Sequence, residues 1–469
     1  MKCRILLISV ILFTFFACKK EVTPQPDPPV KPTEPVIGQV TSYDGKIAKI
    51  YINTLGNTII NEPKVKSNIK VIVSDTIVLT HDIGIEYRGS SSLSFDQKSF
   101  GFEFWDATGN GMDSVMMDFP KEEDFILYAP ANDKSLLRNV LIYDLSNRIG
   151  MYATRTKWAQ LYINDSYNGL YVVMEKIKRN KNRVNISKVS ATDVTGGYIL
   201  KIDKSTGDSP SGSINYSSTI SWRSGYDTAG RLITYLPYGS KKGEETYFLY
   251  EYPKPEDITQ PQKDYIKKYI DDFEQALLSA NYKDAVSGYK AFIDVPSFVD
   301  FFLLNEISHN PDGYRLSTFI NKEKGGKLKM GPIWDFNLAF GNDSRTPISA
   351  TYNWGYNFNN YYRGDGWLIH FWWKRLLSDP AFTSAIKARW AELRASQFSE
   401  GAILKIVDDH IALLQKHNAV NQHFTRWKFL GVQLPFNGFV GQTYQEEIDY
   451  LKNWVRGRLA WMDANVAIL

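Results

Sequence analysis

Cysteine is scarce in this chain of 469 residues. Its two cysteines, Cys3 and Cys18, both lie near the amino terminus. No thiol occurs between residues 19 and 469. This excludes a disulfide scaffold, a cysteine-ligated zinc or iron–sulfur site and a cysteine nucleophile. The chemistry of the body must use oxygen and nitrogen groups, with or without a hard cation.

Other common signatures are also missing. The 55 Lys and Arg residues nearly balance the 51 Asp and Glu residues. The resulting small net charge gives no indication of nucleic-acid binding. The 6 histidines include no HExxH pair. The chain has no Gly-x-Ser-x-Gly, Walker loop or GxGxxG motif, which argues against a standard hydrolase, a P-loop ATPase and a Rossmann enzyme.

The amino terminus has the pattern of an export signal. Lys2 and Arg4 precede an apolar run at residues 5–16, which is too short to span a bilayer and is typical of a signal-peptide core. Ala17 before Cys18 resembles a lipoprotein cleavage site, and residues 19–21 resemble the surface-export signals of Bacteroidota lipoproteins. We expect a membrane-anchored lipoprotein, lipidated at Cys18 and located at the outer membrane or cell surface. An ordinary signal peptide with an incidental cysteine is the alternative.

Length and periodicity predict two lobes after the leader, because one core rarely grows beyond about 250–300 residues. Residues 1–17 are the predicted signal peptide, and the proline-rich residues 18–37 are a tether. Short β-branched and aromatic runs predict a sheet-rich N-terminal lobe at residues 38–255, with one helix at 134–149. Apolar residues at helical spacing predict a helix-rich C-terminal lobe at residues 256–469. The predicted class is α+β.

Residues 309–341 carry the clearest chemical pattern. An apolar helix ends, a loop presents Asp312, and a strand follows; Gly325 and Gly326 then turn the chain into a second short strand that leads to Asp335. The hairpin brings two carboxylates back to one cleft. Phosphoryl transfer needs one group to orient the acceptor hydroxyl and another to hold Mg²⁺ against the nucleotide phosphates.

Ordered motifs in this sequence resemble the CotH kinase family of atypical protein kinases. They are YRGSSS at 87–92 with Lys98, DKSLLRN at 133–139, YIN at 162–164 through YNGLY at 167–171 to Glu175, NPDG at 310–313 and WDFN at 334–337. The resemblance spans about residues 47–341 and includes the C-terminal helix. It implies a divergent, two-lobed protein-kinase-like fold, ATP with Mg²⁺ or Mn²⁺, and a protein substrate.

Within this hypothesis Asp312 is the catalytic base, and Asp335 and Asn337 are the metal ligands. Each aspartate also has a purely structural interpretation. Asp312 could be a turn residue before Gly313, and Asp335 could be a helix N-cap. The family usually has a second acid where this chain has Asn337, which supplies an oxygen ligand but no charge.

Four further residues are predicted to bind the nucleotide. Lys98 is the candidate phosphate-binding lysine, and Glu175 the acid that would pair with a cleft lysine. Arg88, beside Gly89, is suited to phosphate because a guanidinium binds it in a fork. Arg138 lies on the predicted helix. Lys98 as a solvated strand end, Glu175 as the partner of Lys176 and Arg138 on an outer helix face are the structural alternatives.

Two other functions remain open from the sequence. A catalytically silent surface lipoprotein could act as an adhesion or glycan-binding module through its aromatic clusters. A glycoside hydrolase would need two carboxylates about 5–10 Å apart. The sequence does not define an oligomeric state.

Overall fold

A closed barrel of seven strands forms the first part of the computed structural model, which describes residues 45–190, 192–205 and 215–469. The predictions for the leader and tether fall outside these residues. The barrel order is β1-β2-β3-β4-β5-β7-β6, and β1 closes it by pairing in parallel with β6. The strands are β1 Ala48–Asn53, β2 Val65–Val73, β3 Thr76–Arg88, β4 Ser99–Trp105, β5 Asp124–Tyr128, β6 Thr156–Ile163 and β7 Ser166–Glu175.

Alternation of apolar residues explains the barrel. Along β2 every second residue from Ser67 onward is buried, and β-branched side chains there fill the interior. The β6–β7 hairpin turns on Asn164 and Asp165, with φ of 47° and 61°, and β7 begins at Ser166.

A second, five-stranded sheet follows, in the order β12-β11-β8-β10-β9. Its strands are β8 Tyr198–Ile202, β9 Ser221–Arg223, β10 Tyr247–Tyr252, β11 Thr318–Lys322 and β12 Leu328–Met330. The change of sheet lies between Glu175 and Tyr198, and β8 then pairs with β11 from the second half of the chain. The predicted lobe boundary near residue 255 stays a prediction, but it does not coincide with this change of sheet.

Helices cover one face of this sheet and fill the largest core. They are α1 Arg138–Arg148, α2 Gln260–Leu278, α3 Val295–Ser308, α4 Phe358–Tyr361, α5 Trp372–Leu376, α6 Pro380–Arg394, α7 Glu400–Lys416, α8 Ala419–Arg426 and α9 Tyr444–Asn465. Thr443 is the N-cap of α9, since its hydroxyl accepts from the Glu446 amide at 3.2 Å. The structure is 31% helix and 22% strand, which confirms the α+β class.

The other face of the second sheet carries a small separate apolar cluster. Ile199 and Phe319 lie there with Ile177 from the segment after β7, and Trp334 packs against them. The described residues between 45 and 469 belong to one compact unit. Within the described residues no helix is both long and apolar enough to cross a membrane.

Candidate functional site

Helix α1 holds the backbone around Asp335. Asn139 and Tyr143 lie one helical turn apart on the same face. The Asn139 Oδ1 atom accepts from the Phe336 amide at 2.7 Å, and the Tyr143 hydroxyl accepts from the Asp335 amide at 3.1 Å. The Tyr143 ring also stacks on Trp334, with centroids 6.1 Å apart. Two buried side chains thus fix the residue that presents the carboxylate.

The backbone of Asp335 is held in an uncommon conformation. Its φ is 64°, in the left-handed region that residues with a side chain seldom adopt. Such a conformation costs free energy, of order 1–3 kcal/mol, and persists where the surroundings enforce it. The hydrogen bonds that the Asp335 and Phe336 amides donate to side chains of α1 hold this conformation and orient the carboxylate.

Asp312 follows α3 and is fixed by a buried arginine. The Arg315 Nη2 atom donates to the Asp312 Oδ1 atom at 2.8 Å, and Nη1 donates to Asp365 at 3.1 Å. The Arg315 side chain is 2% exposed, whereas that of Asp312 is 20% exposed. One edge of the Asp312 carboxylate is held from inside, and part of it remains open to an incoming group.

The two aspartates lie close enough to repel each other. Burial, together with the charges of Asp312 and Asp203, raises the pKa of Asp335 to about 7, while Lys204 and Arg88 oppose this rise. Asp312 and Asp335 therefore share one electrostatic environment. Asp203 and Lys204 were not among the predicted site residues.

The donors near Asp335 suit a divalent cation. The half-buried Asp335 carboxylate has two acidic neighbours, and a bound cation would balance their negative charge. The Asn337 side-chain nitrogen donates to Asn132 Oδ1 at 3.0 Å, so its amide oxygen is the atom suited to a metal. Mg²⁺ typically takes one or two protein ligands and completes its shell with phosphate and water oxygens.

A different acidic group has the tightest geometry. Glu122, Glu123 and Asp124 form the one group of three acidic ligands within 4.8 Å among residues that the structure describes. The Lys178 Nζ atom lies 2.9 Å from each of the three carboxylates. This group is an ion-pair cluster that a lysine already fills.

Arg88 and Lys204 are cations that act on Asp335. Arg88 ends β3, and its guanidinium lies 5.8 Å from the Trp334 ring centroid. Lys176 follows β7 and lies near Arg88; burial and the charge of Arg88 lower the pKa of Lys176, against the attraction of Asp124. The positive charge beside Asp335 therefore comes from the end of β3 and from the segment that follows β8.

The other three predicted residues lie in different surroundings. Lys98 Nζ donates to the carbonyls of Leu93 and Phe95 at 2.6 and 2.5 Å. Glu175 accepts from Arg155 Nε at 2.8 Å and lies 3.5 Å from Arg183, so its cationic partners are arginines and not the expected lysine. These two residues are not brought together.

Arg138 is fully buried, which removes the outer-face alternative. Its Nη1 atom donates to Asp133 Oδ1 at 2.5 Å, and its Nε atom donates to the Ala339 carbonyl at 3.0 Å. Arg138 therefore ties the start of α1 to the segment that follows Asp335. Its geometry is that of a positioning residue for the loop that carries Asp335 and Asn337.

Several site residues were missed by sequence reasoning. The sequence indicates Lys176 only as a surface partner of Glu175. Asp203 and Lys204 follow an apolar strand, and polar residues at a strand end are a usable signal. Asn139 and Tyr143 have helical spacing, but the sequence does not indicate which segment that helix face contacts.

Comparison with known proteins gives the family. The family described as CotH kinase protein matches residues 85–462, which is most of the chain. The chain belongs to the CotH kinase family, and its fold is a divergent, two-lobed protein-kinase-like fold. No curated protein matches the sequence. The matched range includes Arg88, Asp312 and Asp335.

Proposed function

We propose that this chain is an atypical protein kinase that transfers the γ-phosphoryl group of ATP to a protein hydroxyl with a divalent metal. The observation that carries the proposal is a pair of neighbouring acids: Asp335, which is half-buried and whose pKa is raised to about 7, and Asp312, which Arg315 holds. Kinases need one acid for the metal and one near the acceptor hydroxyl.

The roles follow from the surroundings of each acid. Asp335, with Asn337, would hold Mg²⁺ or Mn²⁺, and the cation would neutralise charge on the nucleotide phosphates. Arg88, whose charge acts on Asp335, would contact those phosphates. Lys176, which lies near Arg88, would take the role predicted for Lys98, because the Lys98 ammonium is bound to carbonyls of its own turn. Asp312 would orient the acceptor hydroxyl.

Phosphoryl transfer would occur as a single displacement at the γ-phosphorus. The acceptor oxygen forms a bond to the γ-phosphorus, and the bond from that phosphorus to the β–γ bridging oxygen breaks. ADP leaves, and the hydroxyl proton passes to the free oxygen of Asp312, whose other oxygen stays bonded to Arg315.

A labelled-phosphate assay tests the proposal. The purified chain is incubated with γ-labelled ATP, Mg²⁺ or Mn²⁺ and a mixed protein acceptor, beside Asp335→Asn and the control Asp408→Asn, an exposed acid paired with Lys452. We expect label from the wild type and from Asp408→Asn, and none from Asp335→Asn. A folded wild type that transfers no label would overturn the proposal and favour the catalytically silent adhesion or glycan-binding module.

We also propose the cellular location that the leader indicates, a lipoprotein anchored through Cys18 at the outer membrane or cell surface. ATP is scarce there, so the nucleotide would have to arrive by secretion or lysis. Metabolic labelling with a fatty-acid analogue tests this: label on the wild type and none on Cys18→Ser supports it. Equal labelling of the two would overturn it.

A further inference from the structure

Two lysines flank one tryptophan beside the candidate catalytic pair. Lys204 Nζ lies 5.2 Å and Lys241 Nζ lies 5.4 Å from the Trp367 ring centroid. The Trp367 indole nitrogen donates to the Tyr216 hydroxyl at 3.2 Å, which fixes the ring. We call Lys204, Trp367 and Lys241 the lysine–tryptophan platform.

The platform is joined to both acids of the site. Arg315, which holds Asp312, also donates to the Trp367 carbonyl at 3.0 Å, and Asp365 accepts from the Trp367 amide at 2.8 Å. Lys204 is one of the cations that act on Asp335. The platform therefore lies on the side of the site where an acceptor must approach Asp312.

Two of the three carboxylates whose charges act on Lys241 already have other partners. Asp365 is paired with Arg315 at 3.1 Å, and Glu245 with Arg223 at 2.8 Å, whereas Glu244 is exposed. The Lys241 Nζ atom donates to the Gly366 carbonyl at 2.5 Å and to the Lys242 carbonyl at 3.0 Å, and burial lowers its pKa to about 8. Two carbonyls leave one N–H of this ammonium for a ligand. Among the residues that the structure describes, no carboxylate forms an ion pair with Lys204 or Lys241, and a partly desolvated ammonium group without such a pair favours an incoming anion.

The positive surface continues outward along the chain. Lys242 Nζ lies 3.8 Å from the centroid of the Tyr235 ring, which is 39% exposed. Successive lysines on aromatic rings thus lead away from the acids. We propose, on the basis of the kinase function above, that the lysine–tryptophan platform selects acceptor peptides with glutamate or aspartate close to the accepting hydroxyl.

Matched peptides test this inference. Three peptides carry one serine with identical cores and Glu, Gln or Lys flanks, and the transfer assay gives kcat/KM for each at saturating ATP. We expect the wild type to prefer the Glu peptide over the Gln peptide by about tenfold, less at high salt. Lys241→Gln should reduce this preference to about twofold without changing the KM for ATP, and Lys241→Arg should restore it.

The control variant is Lys283→Gln, because Lys283 also lies 5.4 Å from an aromatic ring, that of Tyr282, outside the site. It should keep the full preference. Equal kcat/KM for the three peptides, or a Lys241→Gln variant that changes only the KM for ATP, overturns the inference while leaving the kinase function intact.

Binding without turnover separates the two proposals. Fluorescence anisotropy measures the affinity of the same peptides with alanine in place of serine. Tighter binding of the Glu peptide that is lost in Lys241→Gln supports the platform even if no phosphate is transferred, in which case only the kinase function fails. Equal binding of the three peptides overturns the platform.

Discussion

Arg315 holds Asp312 through a hydrogen bond of 2.8 Å, and the same guanidinium reaches Asp365. A buried arginine with two carboxylates fixes geometry as well as charge. The candidate base is therefore placed from the protein interior and does not depend on a mobile loop side chain.

Replacing this arginine should impair transfer more than nucleotide binding. Arg315→Gln leaves Asp312 and Asp365 without their shared cation, and we expect a loss of about 2–4 kcal/mol in stability. We expect kcat to fall about tenfold or more, with the affinity for MgATP nearly unchanged. Arg456→Gln, an exposed arginine paired with Glu400, is the control. A kcat equal to that of the control would contradict the role of Arg315.

The hydroxyl of Tyr143 should matter for metal binding. Tyr143→Phe removes the acceptor of the Asp335 amide and leaves that group unsatisfied, at a cost of about 1–2 kcal/mol. We expect the affinity for Mn²⁺ in the presence of ATP to weaken by about three- to tenfold. Tyr444→Phe removes another tyrosine hydroxyl, which donates to Ser135 at 3.2 Å, and serves as the control. Equal Mn²⁺ affinities in the two variants would remove Tyr143 from the site.

Stability should depend on pH through Asp335. Its folded-state pKa of about 7 lies above its usual value of 3.8. Between these two pH values the folded protein therefore binds more protons than the unfolded chain. The free energy of unfolding must therefore fall as pH rises from about 4 to 7, by about 1–3 kcal/mol for this group because part of the carboxyl remains open to water.

Urea unfolding at several pH values, without divalent metal, measures this slope. Asp335→Asn has no charge to titrate and should be less sensitive to pH across the window. Mg²⁺ with ATP binds the ionised carboxylate, so its affinity should rise with pH up to about 7. Identical pH slopes for the wild type and Asp335→Asn would show that Asp335 does not titrate there.

A buried ion pair anchors the loop of Asp312. Glu306 and Arg458 are both fully buried and lie 3.1 Å apart, and the Tyr314 hydroxyl donates to Glu306 at 2.8 Å. We expect Glu306→Gln to lower the free energy of unfolding by about 3–5 kcal/mol, because Arg458 then has no counter-charge. Asp409→Asn breaks an exposed pair with Lys405 and should cost less than about 1 kcal/mol. Comparable losses in urea unfolding would contradict this anchoring.

Local patterns in the sequence predicted much of the fold. The helix predicted at residues 134–149 is present as α1 Arg138–Arg148, and the sheet-rich N-terminal and helix-rich C-terminal patterns are present as well. Strands β8 to β10 were not predicted as separate elements. The partner of β8 lies far along the chain, and no local pattern shows that β8 pairs with β11.

The same limit applies to the site. The turn and hairpin of residues 309–341 indicated Asp312 and Asp335 because both lie on one short connected segment. Tyr143 and Lys204 reach the site through tertiary packing, which leaves no trace in residue spacing. Lys98 had a suitable local pattern, but the turn beside it supplies carbonyls that bind its ammonium.

The division of roles between Asp312 and Asp335 is tested most directly by measuring MgATP affinity and phosphoryl transfer on the same samples of two variants. Asp312→Asn should bind MgATP about as tightly as the wild type and transfer phosphate at least about a hundredfold more slowly. Asp335→Asn should lose both properties. If Asp335→Asn binds MgATP normally and transfers phosphate at the wild-type rate, the proposed site is wrong.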